Sequence, residues 1–405
     1  MLARLRHVGF VIGAIVGACT SAIPQPTPIA VTPTIPRSNL SATVTLLPTS
    51  TATQRPPLAT STAMTTVPEL VIPTVAASPL PPLSQLLPIT KANIQQLKPL
   101  TVLVSTEPEA LHSLAFSTDE QLLAVGQNSV TIWDLAMMQA IHTFAIQGDN
   151  LQFSPDGISL VCSGPSETVL YSVIIMDLNS GQITRTLDGY GDVIADLTFS
   201  PDGSVLAETR FFSPGLLQLW NTSHWTLISE EGSTSGEYEV AFSPDGRTLI
   251  SASREGYVLQ WNPHDGQFVR QIQGCRQGQV TDVAFSPDGH YLATVCYDSL
   301  GSGFGFDNAI RLYDVNTWQL LRTVGDNNLA KSDVVFSPDS KMVISKVESS
   351  DNDLAFVEFW DIESGALLHT VTAWPADSIF RLSPNGRLLA IGMDSAIGLF
   401  GVAPP

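Results

Sequence analysis

The sequence VTDVAFSPDG, residues 280–289, decides how this chain folds. A short apolar run leads into Ser286-Pro-Asp-Gly289, where proline restricts φ, aspartate can bond to the local backbone and glycine accepts a positive φ. The signature or a close variant occurs seven times, at intervals of 37 to 51 residues. The copies begin at Phe116, Phe153, Phe199, Phe242, Phe285, Phe336 and Leu382. A period of this length predicts a repeat fold in which each copy packs against its neighbours.

The residues around each signature predict four short strands per copy. In the fourth copy, the turn is followed by a second strand at residues 248–253, a third strand that ends in Trp261-Asn262, and a last strand at 268–272. Four antiparallel strands in about 45 residues are what one blade of a β-propeller requires. The seventh copy lacks a fourth strand, and residues 100–104 form an apolar strand ahead of the first copy. We therefore expect this N-terminal strand to complete the seventh blade and close the ring.

These motifs resemble those of WD40-repeat β-propellers, and the resemblance covers residues 91–405. It implies an all-β, seven-bladed propeller that serves as a binding platform. Aromatic-polar pairs at the end of the third strand, such as Trp133-Asp134 and Trp360-Asp361, strengthen the resemblance. The Gly-His pair that is usual before the first strand of this family is missing from every copy.

The N-terminus reads MLARLRHVGFVIGAIVGAC over residues 1–19. A short basic segment precedes an eleven-residue apolar run, which is too short to span a bilayer but suits a secretory signal. The run ends in Val-Gly-Ala-Cys19, which resembles a bacterial lipobox. This resemblance implies a signal peptide over residues 1–18 and a lipid anchor on Cys19. We expect an exported protein of the cell envelope or cell surface that contacts the membrane through this anchor only; an unlipidated form would be secreted.

Residues 19–90 differ in composition from the rest of the chain. Positions 20–90 contain 14 of the 28 prolines and 15 threonines, and their only charged residues are Arg37, Arg55 and Glu69. Proline at this density favours polyproline II, and the segment lacks the apolar periodicity of a packed domain. We predict that residues 19–90 form a disordered stalk rich in proline and threonine, and that the propeller begins at residue 91.

Charge and motif content exclude several classes of function. The chain has 38 acidic and 19 basic residues, and residues 91–405 alone carry 37 and 15, a net charge of −22 (15 minus 37). Such a surface repels phosphate backbones, so nucleic acid is not an expected partner. The sequence has no Gly-x-Ser-x-Gly elbow and no His-Glu-x-x-His pair. We therefore predict no catalytic residue, no metal site and no cofactor.

Four first strands carry an acidic residue three positions before the signature, namely Asp196, Glu239, Asp282 and Asp333. Because first strands line the central channel of a propeller, these carboxylates are candidates for a cation or cationic-ligand site at the channel mouth. The alternative is that each one bonds to neighbouring hydroxyl or backbone groups at the sheet edge.

Aromatic residues lie in or near the loops that connect second and third strands or enter first strands. They are Tyr190, Phe211, Phe212, Tyr238, Phe304, Phe306 and Trp374. Loops on a rigid scaffold are common recognition sites, and exposed aromatics are good anchors for a partner. This face is therefore the candidate binding surface. Alternatively, the same side chains pack over the ends of the blades.

Cys275 and Cys296 lie at the same end of a predicted hairpin, one before its first strand and one at the end of its second. Export permits oxidation, so the two residues form either a disulfide or a pair of buried thiols.

The preferred hypothesis is a non-catalytic scaffold at the cell surface that binds protein partners or other ligands. The alternatives are an extracytoplasmic hydrolase or lyase with its site at the channel mouth, and a module of envelope transport or assembly.

Overall fold

The computed structural model describes residues 81–105, 110–166, 169, 171–188, 192–211, 215–233, 236–276, 278–297, 308–325, 329–348, 354–393 and 395–404. These residues form 28 strands, with two short 3-10 turns ahead of the first strand at Leu83–Gln85 and Ile94–Gln96. In chain order, the strands are β1 (Lys98–Val104); β2 (Ser113–Phe116), β3 (Leu122–Gly126), β4 (Val130–Asp134) and β5 (Gln139–Phe144); β6 (Asp149–Phe153), β7 (Ser159–Gly164), β8 (Ser172–Asp177) and β9 (Gln182–Asp188); β10 (Ile194–Phe199), β11 (Val205–Arg210), β12 (Gly215–Asn221) and β13 (Thr226–Ser233); β14 (Glu237–Phe242), β15 (Leu249–Ser253), β16 (Tyr257–Trp261) and β17 (Phe268–Gln273); β18 (Gln279–Phe285), β19 (Tyr291–Tyr297), β20 (Ile310–Asp314) and β21 (Leu320–Val324); β22 (Ala330–Phe336), β23 (Met342–Glu348), β24 (Leu354–Asp361) and β25 (Leu367–Pro375); β26 (Ile379–Leu382), β27 (Leu388–Met393) and β28 (Ala396–Gly401).

The strands pair into seven antiparallel sheets of four, one for each copy of the signature. Six sheets consist of consecutive strands, and the seventh has the order β1-β28-β27-β26. The N-terminal strand runs antiparallel to the last one, with Lys98 opposite Gly401 and Val104 opposite Ala396. The predicted all-β, seven-bladed propeller and its closure by the N-terminal strand are therefore confirmed.

The signature forms the turn between the first and second strands of a blade. In the fifth blade, Ser286 Oγ donates to Asp288 Oδ1 at 2.6 Å and accepts from the N–H of Tyr291 at 2.9 Å. Gly289 has a φ of 73°, which glycine adopts without strain. We call the end of the blades that carries these turns the lower face. The opposite end, with the connections between blades and between second and third strands, is the upper face.

The hydrophobic core lies between adjacent blades. One cluster joins Ala124 and Ile132 of the first blade to Leu160 and Ile174 of the second. Because both faces of a blade are covered in this way, the second strands are buried almost along their whole length, as the all-buried β11 and β15 illustrate.

A segment that sequence reasoning assigned to the stalk belongs to the packed unit. We call residues 81–97 the strap. Its Leu83 and Leu86 are buried in a cluster with Leu135 and Leu388 of the first and seventh blades. The stalk predicted over residues 19–90 therefore extends too far, because the apolar side chains at its C-terminal end cover part of the ring. Within the described residues, no helix is long and apolar enough to cross a membrane.

The strap follows the lower face from the seventh blade to the sixth. Ile89 is fully buried, and its N–H donates to the Gly386 carbonyl at 2.7 Å. The N–H of Lys91 donates to Asp339 Oδ2 at 3.3 Å, and its Nζ lies 2.8 Å from Asp361 Oδ1. All three ring residues belong to turns of the lower face, so the strap occupies this face of the sixth and seventh blades.

At the junction of the seventh and first blades, two altered copies of the signature turn lie side by side, and the substitution in one compensates for the substitution in the other. Asn385 stands in place of the aspartate in the seventh copy, and Glu120 in place of the glycine in the first. Glu120 is buried, with a φ of 60°. Its carboxylate accepts from Ser383 Oγ at 2.5 Å and from the N–H of Asn385 at 2.8 Å, and Arg387 Nη1 lies 3.6 Å away. Glu120 thus supplies the seventh turn with the carboxylate that this turn lacks.

Candidate functional site

The acidic residues predicted at the channel mouth form hydrogen bonds between blades. Asp196 Oδ2 accepts from the N–H of Val240 at 3.1 Å, and Asp282 Oδ2 accepts from the N–H of Val334 at 2.5 Å. In both cases, the acceptor is on the first strand of one blade and the donor is on the first strand of the next. These carboxylates therefore connect the inner strands around the ring.

The same position makes the same connection in the first two blades, where the side chain is not acidic. Ser113 Oγ accepts from the N–H of Leu151 at 2.9 Å, and Asn150 Nδ2 donates to the Ile194 carbonyl at 3.2 Å. A neutral side chain at this position performs the task as well as a carboxylate, which favours a structural role over ligand binding.

Asp333 and Glu239 complete the predicted set. Asp333 Oδ1 lies 3.7 Å from Arg381 Nη1 on the first strand of the seventh blade, and Glu239 is half-buried on β14. Across the residues that the structure describes, no three His, Cys, Asp or Glu side chains come close enough to hold a metal ion. The geometry favours the alternative in which these acids bond at the sheet edge.

The predicted aromatic surface is only partly described. Tyr190, Phe212, Phe304 and Phe306 lie outside the described residues, as does Cys19. Trp374 follows the alternative, in which the side chain packs over the ends of the blades. Its side chain is only 7% exposed because it packs edge-on against Phe400, with ring centroids 5.7 Å apart.

Phe211 and Tyr238 meet on the upper face and form a cluster with Arg254. The two rings pack edge to face, with centroids 5.3 Å apart, and the Arg254 guanidinium carbon lies 5.2 Å from the Phe211 centroid. Tyr238 donates its hydroxyl to Gln279 Oε1 at 2.6 Å. Burial raises the pKa of Tyr238, and the neighbouring Arg254 partly opposes this shift, so the phenol is neutral and acts as a donor at pH 7. We call Phe211, Tyr238, Arg254 and Gln279 the arginine–aromatic cluster.

Gly236 permits the close packing of this cluster. A Cβ atom at this position would lie 2.0 Å from the Phe211 carbonyl oxygen and 2.9 Å from Arg254 Cδ. Any larger residue would therefore push apart the two loops that carry Phe211 and Arg254. Sequence reasoning identified the two aromatics but missed Arg254, because the arginine lies in a short turn of the fourth blade and no motif marks it.

Comparison with known proteins agrees with this architecture. The model of the family "WD domain, G-beta repeat" matches residues 226–262 and 266–314. Periodic tryptophan protein 2 of Arabidopsis thaliana is 27% identical over 53% of this chain and 25% of its own length. COMPASS component SWD3 of Saccharomyces cerevisiae is 24% identical over 56% of this chain and 68% of its own. An uncharacterized WD repeat-containing protein of Synechocystis is 28% identical over 43% and 47% of the two chains. The chain thus spans a quarter to a half of the length of several of these relatives.

The chain forms a seven-bladed β-propeller, and part of it resembles WD40 repeats. In the fourth blade of the propeller, Trp261 Nε1 at the end of the third strand donates to Ser251 Oγ at 2.9 Å. In the third blade, Trp220 Nε1 donates instead to Glu208 Oε2 at 3.0 Å. The hydrogen bond from the tryptophan is therefore kept in these two blades although its acceptor changes.

Cys275 and Cys296 come together at the upper end of the fifth blade. The structure joins them in a disulfide with Cα atoms 5.7 Å apart, and both residues are buried. Formation of this disulfide in the exported protein remains a prediction. Cys162 is a buried free thiol whose pKa is raised by burial.

Buried cations are a feature of this propeller that sequence reasoning missed. Arg210 Nη1 donates to the Asp192 carbonyl at 2.9 Å, and Lys346 Nζ donates to the Ser378 carbonyl at 2.9 Å. Both carbonyls belong to the connections between blades on the upper face. Arg210 also pairs with fully buried Glu208, whose pKa is raised by burial although the arginine opposes the shift. The available signal was a basic residue with a nearby glutamate in the second strand of a blade.

A cleft of about 760 Å³ opens on the lower face, where the strap meets the fifth and sixth blades. Its cationic lining includes Lys91, Arg322 and Lys341. Asp361 in its wall is held by Lys91 and by Ser364 Oγ at 2.5 Å. The charges of this cleft are largely neutralised by one another, which makes it a less suitable site than the arginine–aromatic cluster.

Proposed function

We propose that this protein is an exported, lipid-anchored and non-catalytic scaffold that displays a WD40 propeller to protein partners at the cell envelope. The observation that carries the proposal is the difference between the two faces of the ring. The strap covers the lower face of the sixth and seventh blades, whereas the upper face of blades three to five carries an arginine–aromatic cluster on a rigid frame. Because the strap lies on the lower face, it leaves the arginine–aromatic cluster of the upper face uncovered, and this cluster is the surface that we expect to contact a partner.

The non-catalytic part of the proposal rests on how the acidic residues are used. Asp196 and Asp282 bond to backbone N–H groups of the next blade, so they are not available as paired acid and base. WD40 propellers generally act as protein-interaction scaffolds, and one relative is by name a component of the COMPASS assembly. These observations favour protein binding over a hydrolase or lyase site at the channel mouth.

The charge of the propeller supports a protein rather than a nucleic acid as partner. Residues 91–405 have a net charge of −22 (15 minus 37). Arg210, Arg311, Lys331 and Lys346 are buried, which removes four of the 15 basic residues from the surface. A phosphate backbone would therefore meet a repulsive field at nearly every approach.

Export and anchoring are tested on the full chain in a bacterial host with radiolabelled palmitate. We expect labelling of the wild type and of Cys162→Ser, and no labelling of Cys19→Ser. Equal labelling of all three, or of none, would contradict the lipid anchor.

Partner binding is tested by cross-linking at the surface of intact cells, followed by mass spectrometry. We expect specific proteins in the wild-type sample that are absent from cells that carry only an anchored stalk. Recovery of transport or assembly components would identify the protein as a module of envelope biogenesis. A sample that matches the stalk control would refute the scaffold function.

A further inference from the structure

The arginine–aromatic cluster has features of a receptor for an anionic group. Its members come from three adjacent blades: Phe211 follows β11, Tyr238 is on β14, Arg254 follows β15, and Gln279 begins β18. Arg254 is exposed, whereas both aromatic rings are half-buried. The rings therefore form a partly covered apolar base beneath a cation that solvent can reach.

The guanidinium is held in position without losing its capacity to bind. Its guanidinium carbon lies 5.2 Å from the centroid of the Phe211 ring, a cation–π contact, and the guanidinium also hydrogen-bonds the Tyr238 hydroxyl. A guanidinium has five N–H donors, so these two contacts do not use up its capacity to bind. The absence of a Cβ at Gly236 lets the Arg254 side chain and the Phe211 carbonyl both approach the backbone of Gly236. Among the side chains that the structure describes, Arg254 forms no ion pair.

Arg254 differs in this respect from the other cations near the upper face. Arg210, Arg311 and Lys346 are buried, and they donate to carbonyls of the connections between blades. Those residues complete the scaffold. Arg254 is instead exposed, and its guanidinium lies over the Phe211 ring of the neighbouring blade.

We propose that the arginine–aromatic cluster is the site where the propeller binds a carboxylate of its protein partner, next to an apolar group that packs on Phe211 and Tyr238. A planar guanidinium donates two parallel hydrogen bonds to a carboxylate, and an aromatic ring that holds the cation in place reduces the conformational entropy lost on binding. The inference rests on the proposed scaffold function and adds to it the chemistry of the contact.

The net negative charge of the domain does not prevent this contact. Repulsion between distant charges is screened over about 8 Å at physiological ionic strength, whereas a guanidinium–carboxylate pair acts at contact distance. Acidic partners would therefore bind slowly at low salt, and salt would increase their association rate until the contact itself is screened.

The test uses a phage library of random dodecapeptides selected on the full-length protein. Selected peptides are then measured against wild type, Arg254→Gln, Arg254→Lys and the control Arg247→Gln, whose side chain is 86% exposed on a lower-face turn. We expect enrichment of Asp or Glu beside an aromatic or aliphatic residue. Affinity should fall at least tenfold in Arg254→Gln, less in Arg254→Lys, and not at all in Arg247→Gln.

Two peptide variants identify the source of the carboxylate. Changing the acidic side chain of the peptide to its amide should lower the affinity of the peptide for the wild-type protein. The same change should not lower the already reduced affinity of the peptide for Arg254→Gln. If amidation of the C-terminus has this effect instead, the site binds a chain end. Peptides without an acidic preference, or equal affinity for Arg254→Gln and wild type, would overturn the proposal.

Cross-linking on cells separates this proposal from the one on which it rests. If Arg254→Gln captures the same partners as the wild type in the same amounts, the carboxylate site is wrong and the scaffold function stands. If the wild type itself captures nothing above the stalk control, the scaffold function fails.

Discussion

Glu120 provides the sharpest test of how the ring is closed. Its carboxylate accepts hydrogen bonds from Ser383 Oγ and from the N–H of Asn385, at 2.5 and 2.8 Å. Bonds to a charged acceptor contribute about 1.5–3 kcal/mol each, so their loss costs at most about 6 kcal/mol. Arg387 is 34% exposed, and its pairing adds less than about 1 kcal/mol.

Two effects reduce the cost of Glu120→Gly. Glycine removes the strain of a φ of 60° at this position, which returns roughly 1 kcal/mol. Water that enters the gap replaces part of the lost hydrogen bonding. We therefore expect Glu120→Gly to lower the free energy of unfolding by about 2–4 kcal/mol, measured by urea denaturation with far-UV circular dichroism.

Asn385→Asp gives the matched test, because its effect should change sign with the background. In the wild type, it places a second carboxylate beside Glu120 and should destabilise the fold through like-charge repulsion. In Glu120→Gly, it restores the signature turn, whose serine and aspartate are 2.6 Å apart in the fifth blade, and should recover at least half of the loss. Additive effects of the two substitutions, or a cost of Glu120→Gly below about 0.5 kcal/mol, would refute this account of the seam.

Three further predictions concern the strap and the cysteines. Ile89→Ala should lower the free energy of unfolding by about 2–5 kcal/mol because Ile89 is fully buried. The control Ile183→Ala should lower it far less, because Ile183 is 45% exposed. Equal urea midpoints for the two variants would exclude the strap from the folded unit. Burial acts to raise the pKa of Asp361, but hydrogen bonds from Lys91, Ser364 and the N–H of Glu363 outweigh it, so the pKa is lowered on balance. A carboxyl group with a lowered pKa stabilises the fold at pH values above its unfolded pKa near 3.8, and this stabilisation is lost as the pH falls through the folded pKa. Lys91→Met should therefore lower the urea midpoint at pH 7 but not near pH 2. A decrease in the urea midpoint that is the same at both pH values would contradict this linkage. Peptide mapping of the exported protein without reductant should recover Cys275 linked to Cys296. The double variant Cys275→Ser/Cys296→Ser should have a free energy of unfolding lower by about 3 kcal/mol, because the bridge closes a loop of 21 residues. Two alkylated thiols in the wild type would show that the bridge is absent.

The repeat motif was sufficient to predict the frame of this protein. Ser286, Asp288 and Gly289 make their contacts within one turn, so their effect on the backbone does not depend on distant parts of the chain. Seven such turns determine the number of blades and the order of strands. The last copy lacks a fourth strand, and β1 has no blade of its own. The ring therefore closes when β1 pairs with β28 as the fourth strand of the seventh blade.

The functional surface was predictable only in part. Phe211 and Tyr238 were identified as loop aromatics, but the sequence did not indicate that Arg254 would lie over one of them. Trp374 has the same local setting as those aromatics and is nevertheless buried, because Phe400 of the last strand packs against it. Residue type and loop position do not distinguish an anchor from a core residue when a neighbouring blade decides exposure.

The sequence by itself determined the all-β class, the seven blades and the N-terminal closure, because turn chemistry and strand alternation are local properties that repeat. Only the tertiary structure decided how individual polar groups are used. Asp196 and Asp282 serve the next blade, Glu120 serves a turn more than 260 residues away along the chain, and residues 81–90 pack on the ring. Each of these outcomes depends on which distant residue lies within hydrogen-bonding or packing distance, and that is set when the ring closes.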